Sequence, residues 1–270
     1  IALNLTNKVG FGSSEFYVFR CCDKILTKFL FEYLRQSSIR GAAWHSVTGI
    51  GRLRVPLYFY ELMNIPLPPI NIQSEIVKEC EEVDSQETQA LKIINDSRAK
   101  IESLFRELAL KTGRVSLNDV LESVTNRIDT NLIIPSQYIT TDTMLQKCEG
   151  IRLYEAKLPS GSVIEFHKGD ILLSNIRPYL KKLWIADFDG GCSPDVLVFR
   201  RKGIYSEEFI YQAMRRDEFF DFVMQDVHGL KMPRGKREHI LDFMIPAPSE
   251  SLLKKFLDDV RELESAITES

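Results

Sequence analysis

The sequence predicts an α+β chain in which mixed α/β globules stand in tandem, separated by long coiled-coil helices. Three observations carry this prediction. Residues 71–110 contain neither Pro nor Gly and are rich in good helix formers. The chain repeats itself at one constant offset, which sets Val18 against Val198. Between the helical stretches lie β-branched runs punctuated by Gly and Pro.

The helix comes first because the repeat is organised around it. Ile76, Val83 and Ala90 recur every seven residues, as do Ile94, Ile101 and Leu108, and a four-residue step joins the two runs as a stutter. A helix of this length spans about 55 Å at 1.5 Å per residue, which suits a spacer. Its seam of Ile76, Val83, Ile94 and Ile101 is expected to pack on a second long helix from the other repeat. Nine acidic side chains face five basic ones along it, a balance better suited to a protein partner than to a polyanion.

Residues 1–70 read as the C-terminal half of a first globule. Val18-Phe19-Arg20 recurs as Val198-Phe199-Arg200, and Phe29–Arg35 answers to Phe209–Arg215. Val47-Thr48-Gly49 matches Val227-His228-Gly229, and Ile65-Pro66-Leu67-Pro68 matches Ile245-Pro246-Ala247-Pro248. No gap is needed. Residue 1 therefore corresponds to position 181, inside a unit rather than at its start, and the chain is expected to be a fragment.

Residues 111–248 form the complete globule. VSLNDVLESV is expected to be a short helix with Ser116 as N-cap. The runs 125–144, 160–190 and 194–203 are expected to supply strands and turns, and SEEFIYQAMRRDEFFDFVMQ an amphipathic helix with Phe209, Met214, Phe219 and Phe222 in the core. Residues 249–270 open a second long helix.

Composition excludes several classes. Net charge is −3, so no global basic field exists and any nucleic-acid contact must be local. The five cysteines have no CxxC spacing, and the four histidines lack metal-ligand spacing. The thiols are expected to be reduced and the chain cytoplasmic, with no membrane span. No P-loop, cofactor loop, HExxH or nucleophile elbow is present. Glu155-Ala156-Lys157 after Asp142 has the look of a metal-dependent nuclease, but one exposed loop supplies so short a pattern. No catalytic residue, metal or cofactor is assigned.

The candidate site is instead a set of basic loops. Arg40, His45, Arg52 and Arg54 lie in a stretch from Tyr33 to Tyr60 without one acidic residue. The matching stretch of the second unit holds His228, Lys231, Arg234, Lys236 and Arg237. A further cluster holds Ser174, Asn175, Arg177, Lys181 and Lys182. Lys and Arg neutralise phosphates, while Arg and Asn form paired contacts to purine edges. One fold carrying two differently written basic loops is what two readers of different DNA sequences need.

Tandem globules that each end in I-P-x-P and a long helix resemble the specificity (S) subunit of type I restriction-modification systems. The matching residues are Ile65-Pro66-Leu67-Pro68-Pro69 with Gln73, Ile76 and Val77, repeated less faithfully from Ile245. Lys168–Ser174 is similar to a strand of that family's target recognition domains. The resemblance implies two target recognition domains, each reading half of a bipartite double-stranded DNA site. It also implies long helices that pack antiparallel, set the spacing and dock DNA methyltransferase (M) subunits, with restriction (R) subunits joining through the complex. The subunit itself would be non-catalytic. Two alternatives stay open: the recognition region of a longer fused methyltransferase or endonuclease, and a coiled-coil adaptor that binds only protein.

Overall fold

The computed structural model describes residues 1–3, 10–229 and 232–270. The chain divides into two units, Ile1–Ile93 and Ile94–Ser270, with the division falling inside one helix.

The first unit holds three short helices, α1 (Thr27–Arg35), α2 (Ser37–His45) and α3 (Leu57–Glu61), and the start of α4 (Ile70–Lys111). α4 is a continuous helix of 42 residues, about 63 Å long. Three prolines precede it, and Gly113 follows its end, so the chain punctuates both termini. Its buried face in this unit runs through Gln73 and Val77, one turn apart. Gln73 is wholly buried: its Oε1 accepts from Leu26 N–H at 2.8 Å, and its Nε2 donates to the carbonyls of Lys24 and Pro68 at 2.9 and 2.8 Å. One side chain thus ties the start of α1 to the start of α4. Two ion pairs add to it, Arg35 with Asp84 at 2.8 Å and Lys28 with Glu81.

The expected heptad seam needs correction here. Ile76 is partly exposed and Val83 is 62% exposed. The repeat explains why: Ile76 occupies the place of Phe256, which in the second unit is covered by Phe105. Among the described residues of the first unit nothing stands in for Phe105. Phe16–Phe19 are likewise exposed, although their equivalents Val196–Phe199 are a buried strand.

The second unit begins with the rest of α4. β1 (Gly113–Ser116), a one-turn helix α5 (Leu117–Val120) and β2 (Leu121–Val124) follow. The expected short helix is therefore a single turn between strands. Its cap is Ser116, whose Oγ accepts from Asp119 N–H at 3.2 Å. Next come β3 (Arg127–Asp129), β4 (Tyr138–Ile139), β5 (Ser162–Phe166), β6 (Ile171–Ser174), β7 (Leu183–Ile185), β8 (Gly190–Cys192) and β9 (Val196–Arg201). They make two four-stranded sheets, ordered β2-β9-β6-β7 and β3-β5-β8-β4. α6 (Glu207–Met214), α7 (Asp217–Val223), the hairpin β10 (Val227–His228) and β11 (Arg234–Gly235), α8 (Arg237–Leu241), β12 (Met244–Ala247) and α9 (Glu250–Glu269) complete the unit.

The central strands β6 and β9 are buried on both faces over Ile171–Ser174 and Val196–Phe199, so these runs are almost wholly apolar. Ile171, Leu173, Leu197 and Phe199 pack on the helices, while Leu172, Val196, Val198 and Trp184 pack against Phe166, Ile139 and Cys192 of the other sheet. Asp170, a buried charge, takes two hydrogen bonds from Arg200 at 2.8 and 2.7 Å and accepts a third from His167 N–H.

Phe105 of α4 joins the helices. It meets Phe256 of α9 edge-on at 4.6 Å and stacks on Phe209 of α6 at 6.2 Å, with the Arg216 guanidinium 4.9 Å from its ring centre. Arg216 in turn donates twice to Glu102, at 3.0 and 2.8 Å. β1 pairs antiparallel with β12, Gly113 opposite Ala247, so α9 sets out where α4 ends and meets it again through Phe256 and Phe105. Gln212 of α6 and Arg215 just after it both reach Glu264 of α9, and Arg261 of α9 meets Glu208 of α6 at 2.9 Å.

Two outcomes are expected. Phe105→Ala removes the ring shared by three helices and lowers the stability of the second unit by about 3–5 kcal/mol in chemical denaturation. The Arg216 hydrogen bonds hold the Glu102 carboxyl below the ordinary glutamate value. A depressed folded-state value means the pair's contribution is complete above the ordinary glutamate value and is lost as pH falls from there through the lowered folded-state value. Glu102→Gln should therefore destabilise at neutral pH, and the two proteins should converge in acid denaturation scans.

Candidate nucleic-acid interface

The constant offset of the repeat places the same framework under both basic loops. α1 and α6 start at Thr27 and Glu207, α3 and α8 span Leu57–Glu61 and Arg237–Leu241, and α4 and α9 start at Ile70 and Glu250. Between them a tight reversal closes each loop. In the first unit Thr48 and Arg54 exchange both backbone hydrogen bonds at 2.9 Å; in the second, His228 pairs with Arg234 in the β10–β11 hairpin. Gly49 and Gly229 turn the chain with φ of +114° and +89°. A Cβ there would lie 2.6 Å from the Arg52 carbonyl oxygen and 2.8 Å from that of Met232, so only glycine fits.

In the first unit Arg40, His45 and Arg52 are exposed and make no ion pair among the described residues. Trp44, 65% exposed, lies in the same stretch. Arg54 meets Glu15 at 2.7 Å. The stretch read as free of acid therefore has a carboxylate brought to it from well upstream in the chain.

In the second unit the two basic clusters meet. Ile176 forms a β-bridge with Arg234, Arg177 N–H donates to the Pro233 carbonyl at 2.8 Å, and Asn175 N–H donates to the Asp195 carbonyl at 2.8 Å. Arg177, at φ +52°, is exposed and makes no ion pair among the described residues. Asn175 Oδ1 is buried without a hydrogen-bond partner. Arg234 meets Asp195 at 2.9 Å, and Lys236 donates to Asp226 at 2.7 Å, which holds that carboxyl below its ordinary value. His228 is exposed and Arg237 half-buried, neither with an ion pair among the described residues. Lys231 lies outside the described residues.

Three more of the expected residues are engaged within the fold. Ser174 is 2% exposed and its hydroxyl donates to the Ile176 carbonyl, because it ends a strand buried on both faces. Lys181 pairs with Asp217 at 2.6 Å, and Lys182 donates to the Thr141 carbonyl. Lys181 lines a separate cavity of about 750 Å³ with Arg98, Lys147, Tyr179 and Arg215, a grouping of distant residues that no sequence motif marks. The acidic partners Glu15, Asp195 and Asp226 also went unread, since nothing local in the sequence links them to their cations.

The remaining features bear on chemistry. Among the described residues no group of three or more His, Cys, Asp or Glu side chains is placed to hold a metal. Burial pushes the Cys192 thiol up to about 12 and that of Cys148 up to about 11, so neither is a thiolate at neutral pH. No described helix is long and apolar enough to cross a membrane.

No family model matches the chain. Over 84 residues it is 32% identical to the type I restriction enzyme EcoDI specificity subunit of Escherichia coli, covering 31% of this chain and 18% of that protein. The matched segment thus spans about a fifth of the length of this curated relative. Its fold is that of the type I restriction-modification S subunit from M. genitalium, with a TM-score of 0.55 at 12% identity over 91% of this chain and 68% of that one. The HsdS subunit from Thermoanaerobacter tengcongensis aligns with a TM-score of 0.45 at 12% identity, covering 89% and 63%. Sequence and fold therefore both resemble type I specificity subunits.

Proposed function

We propose that this chain is the DNA-reading part of a type I restriction-modification specificity subunit, non-catalytic in itself. Each unit reads one half of a bipartite duplex site, α4 sets the distance between the halves, and the acid-rich faces of the long helices dock methyltransferase subunits. Restriction subunits join through that complex. The observation that carries this reading is the pair of loops. The same strand reversal, glycine and flanking helices hold a different cationic sequence in each unit, as two readers of two sequences require.

The cations divide by their neighbours. Arg177 and Arg237, without carboxylate partners among the described residues, suit phosphate contacts, which contribute through counterion release. The double variant Arg177→Ala/Arg237→Ala should weaken binding to all duplexes alike and lower the salt slope of log K by about two. Titration at several salt concentrations measures both; an unchanged slope removes these residues from the interface.

The spacer role has its own test. Four residues inserted after Ala90 add about one helical turn, roughly 6 Å. The gap between half-sites should grow by one or two base pairs, at about 3.4 Å each, with both half-site sequences unaltered. Methylation mapping with the assembled complex reads the gap directly. Changed half-sites with a fixed gap would show that the helix is not the spacer.

A further inference from the structure

Among the loop side chains rewritten between the repeats, one interaction is kept. Arg54 Nη2 donates to Glu15 Oε1 at 2.7 Å, and Arg234 Nη2 donates to Asp195 Oδ1 at 2.9 Å. Both partners keep the offset of the repeat, Glu15 answering to Asp195 and Arg54 to Arg234. Each arginine stands at the same place, opposite Thr48 or His228 at the base of the loop tip.

Other ion pairs of the repeat show what structure alone demands. Lys28–Glu81 becomes Glu208–Arg261, with the signs exchanged, so simple attraction leaves polarity free. Arg35–Asp84 becomes Arg215–Glu264 and keeps its arginine, but there the guanidinium lies over a ring, Phe31 at 5.7 Å and Tyr211 at 5.9 Å. Among the described residues no ring lies under Arg54 or Arg234. Both pairs are well exposed, and exposed pairs add little to stability. Packing does not account for the retained arginine.

Its donors do. With Nη2 on the carboxylate, the guanidinium is biased towards one orientation, and among the described residues its Nε and Nη1 have no other partner and remain for a ligand. Its charge is compensated, which weakens it as a phosphate clamp, since that contact works through counterion release. A fixed fork of donors instead matches guanine O6 and N7 in the major groove. Asp195 adds a second constraint, because its backbone carbonyl holds Asn175 beside the same arginine.

We propose that each half-site contains a G·C pair at an equivalent position, read by Arg54 in one half and Arg234 in the other, with Glu15 and Asp195 as positioning residues. This rests on the DNA-reading function proposed above and goes beyond it by naming a base.

The experiment is selection of duplexes from a randomised pool by the full-length protein in its native complex, followed by titration of the winners at several salt concentrations. The wild type should select one fixed G·C pair in each half-site. Arg234→Ala and Arg234→Lys should lose preference at that pair in one half-site, by about 5- to 150-fold, with the other positions and the salt slope unchanged. Asp195→Asn should lose part of the same preference, and Arg54→Ala should act on the other half-site alone. Unshifted melting temperatures establish that the variants are folded. The proposal is overturned if Arg234→Ala keeps the G·C preference, or if it weakens all duplexes equally and lowers the salt slope by about one, the signature of a phosphate contact. A wild type that selects no sequence overturns the DNA-reading function itself.

Discussion

The second unit depends on a single aromatic ring. Phe105 belongs to α4, yet it is fully buried among Phe209 of α6 and Phe256 of α9, with Arg216 from the start of α7 against its face. A cation in this setting carries a desolvation cost, and two hydrogen bonds to Glu102 of the same helix as Phe105 offset it. α4 is thus held by packing, with Phe105 at its centre and Leu108, Ile101 and Leu104 beside it, and by the charge of Glu102 one turn away. The sheet face of Leu121, Ile171, Leu197 and Phe199 closes over the same cluster. The position of the loop above α7 follows from this anchoring, because α7 and α8 leave the cluster through Phe219, Phe220 and Ile240.

How much of this could be read from residues alone follows from the range of each interaction. The long helix was legible to within one residue at each end, since its punctuation by Pro and Gly is local. The repeat was legible because it is a comparison of the chain with itself. The exposure of Ile76 and Val83 was not, because periodicity marks an apolar stripe and does not say whether a partner covers it. Nor was the burial of Ser174. A strand buried on both faces shows no alternation, so nothing in Ile171–Ser174 distinguishes an interior hydroxyl from a presented one.

The basic loops were recognisable as cationic, but their electrostatics were not. Arg234 and Arg54 each find a carboxylate far back in the chain, carried there by the segment that leads into β9 in the second unit and its equivalent in the first. A window along the sequence sees only the cations. The folded loops are therefore closer to neutrality than their composition implies, which leaves orientation, rather than bulk charge, as their distinguishing property.

The exchanged signs of Lys28–Glu81 and Glu208–Arg261 bear on assembly as well as on the finished fold. Two repeats built on one plan carry an inherent risk of misfolding, since either short helix offers the right shape to either long one. An α1 that docked on α9 would bring Lys28 to Arg261, and an α6 that docked on α4 would bring Glu208 to Glu81. Both trespasses set like charges together, whereas both native pairings join opposites. The polarity of this one pair therefore favours partners within a repeat, while Arg35–Asp84 and Arg215–Glu264, alike in sign, would remain attractive on exchange.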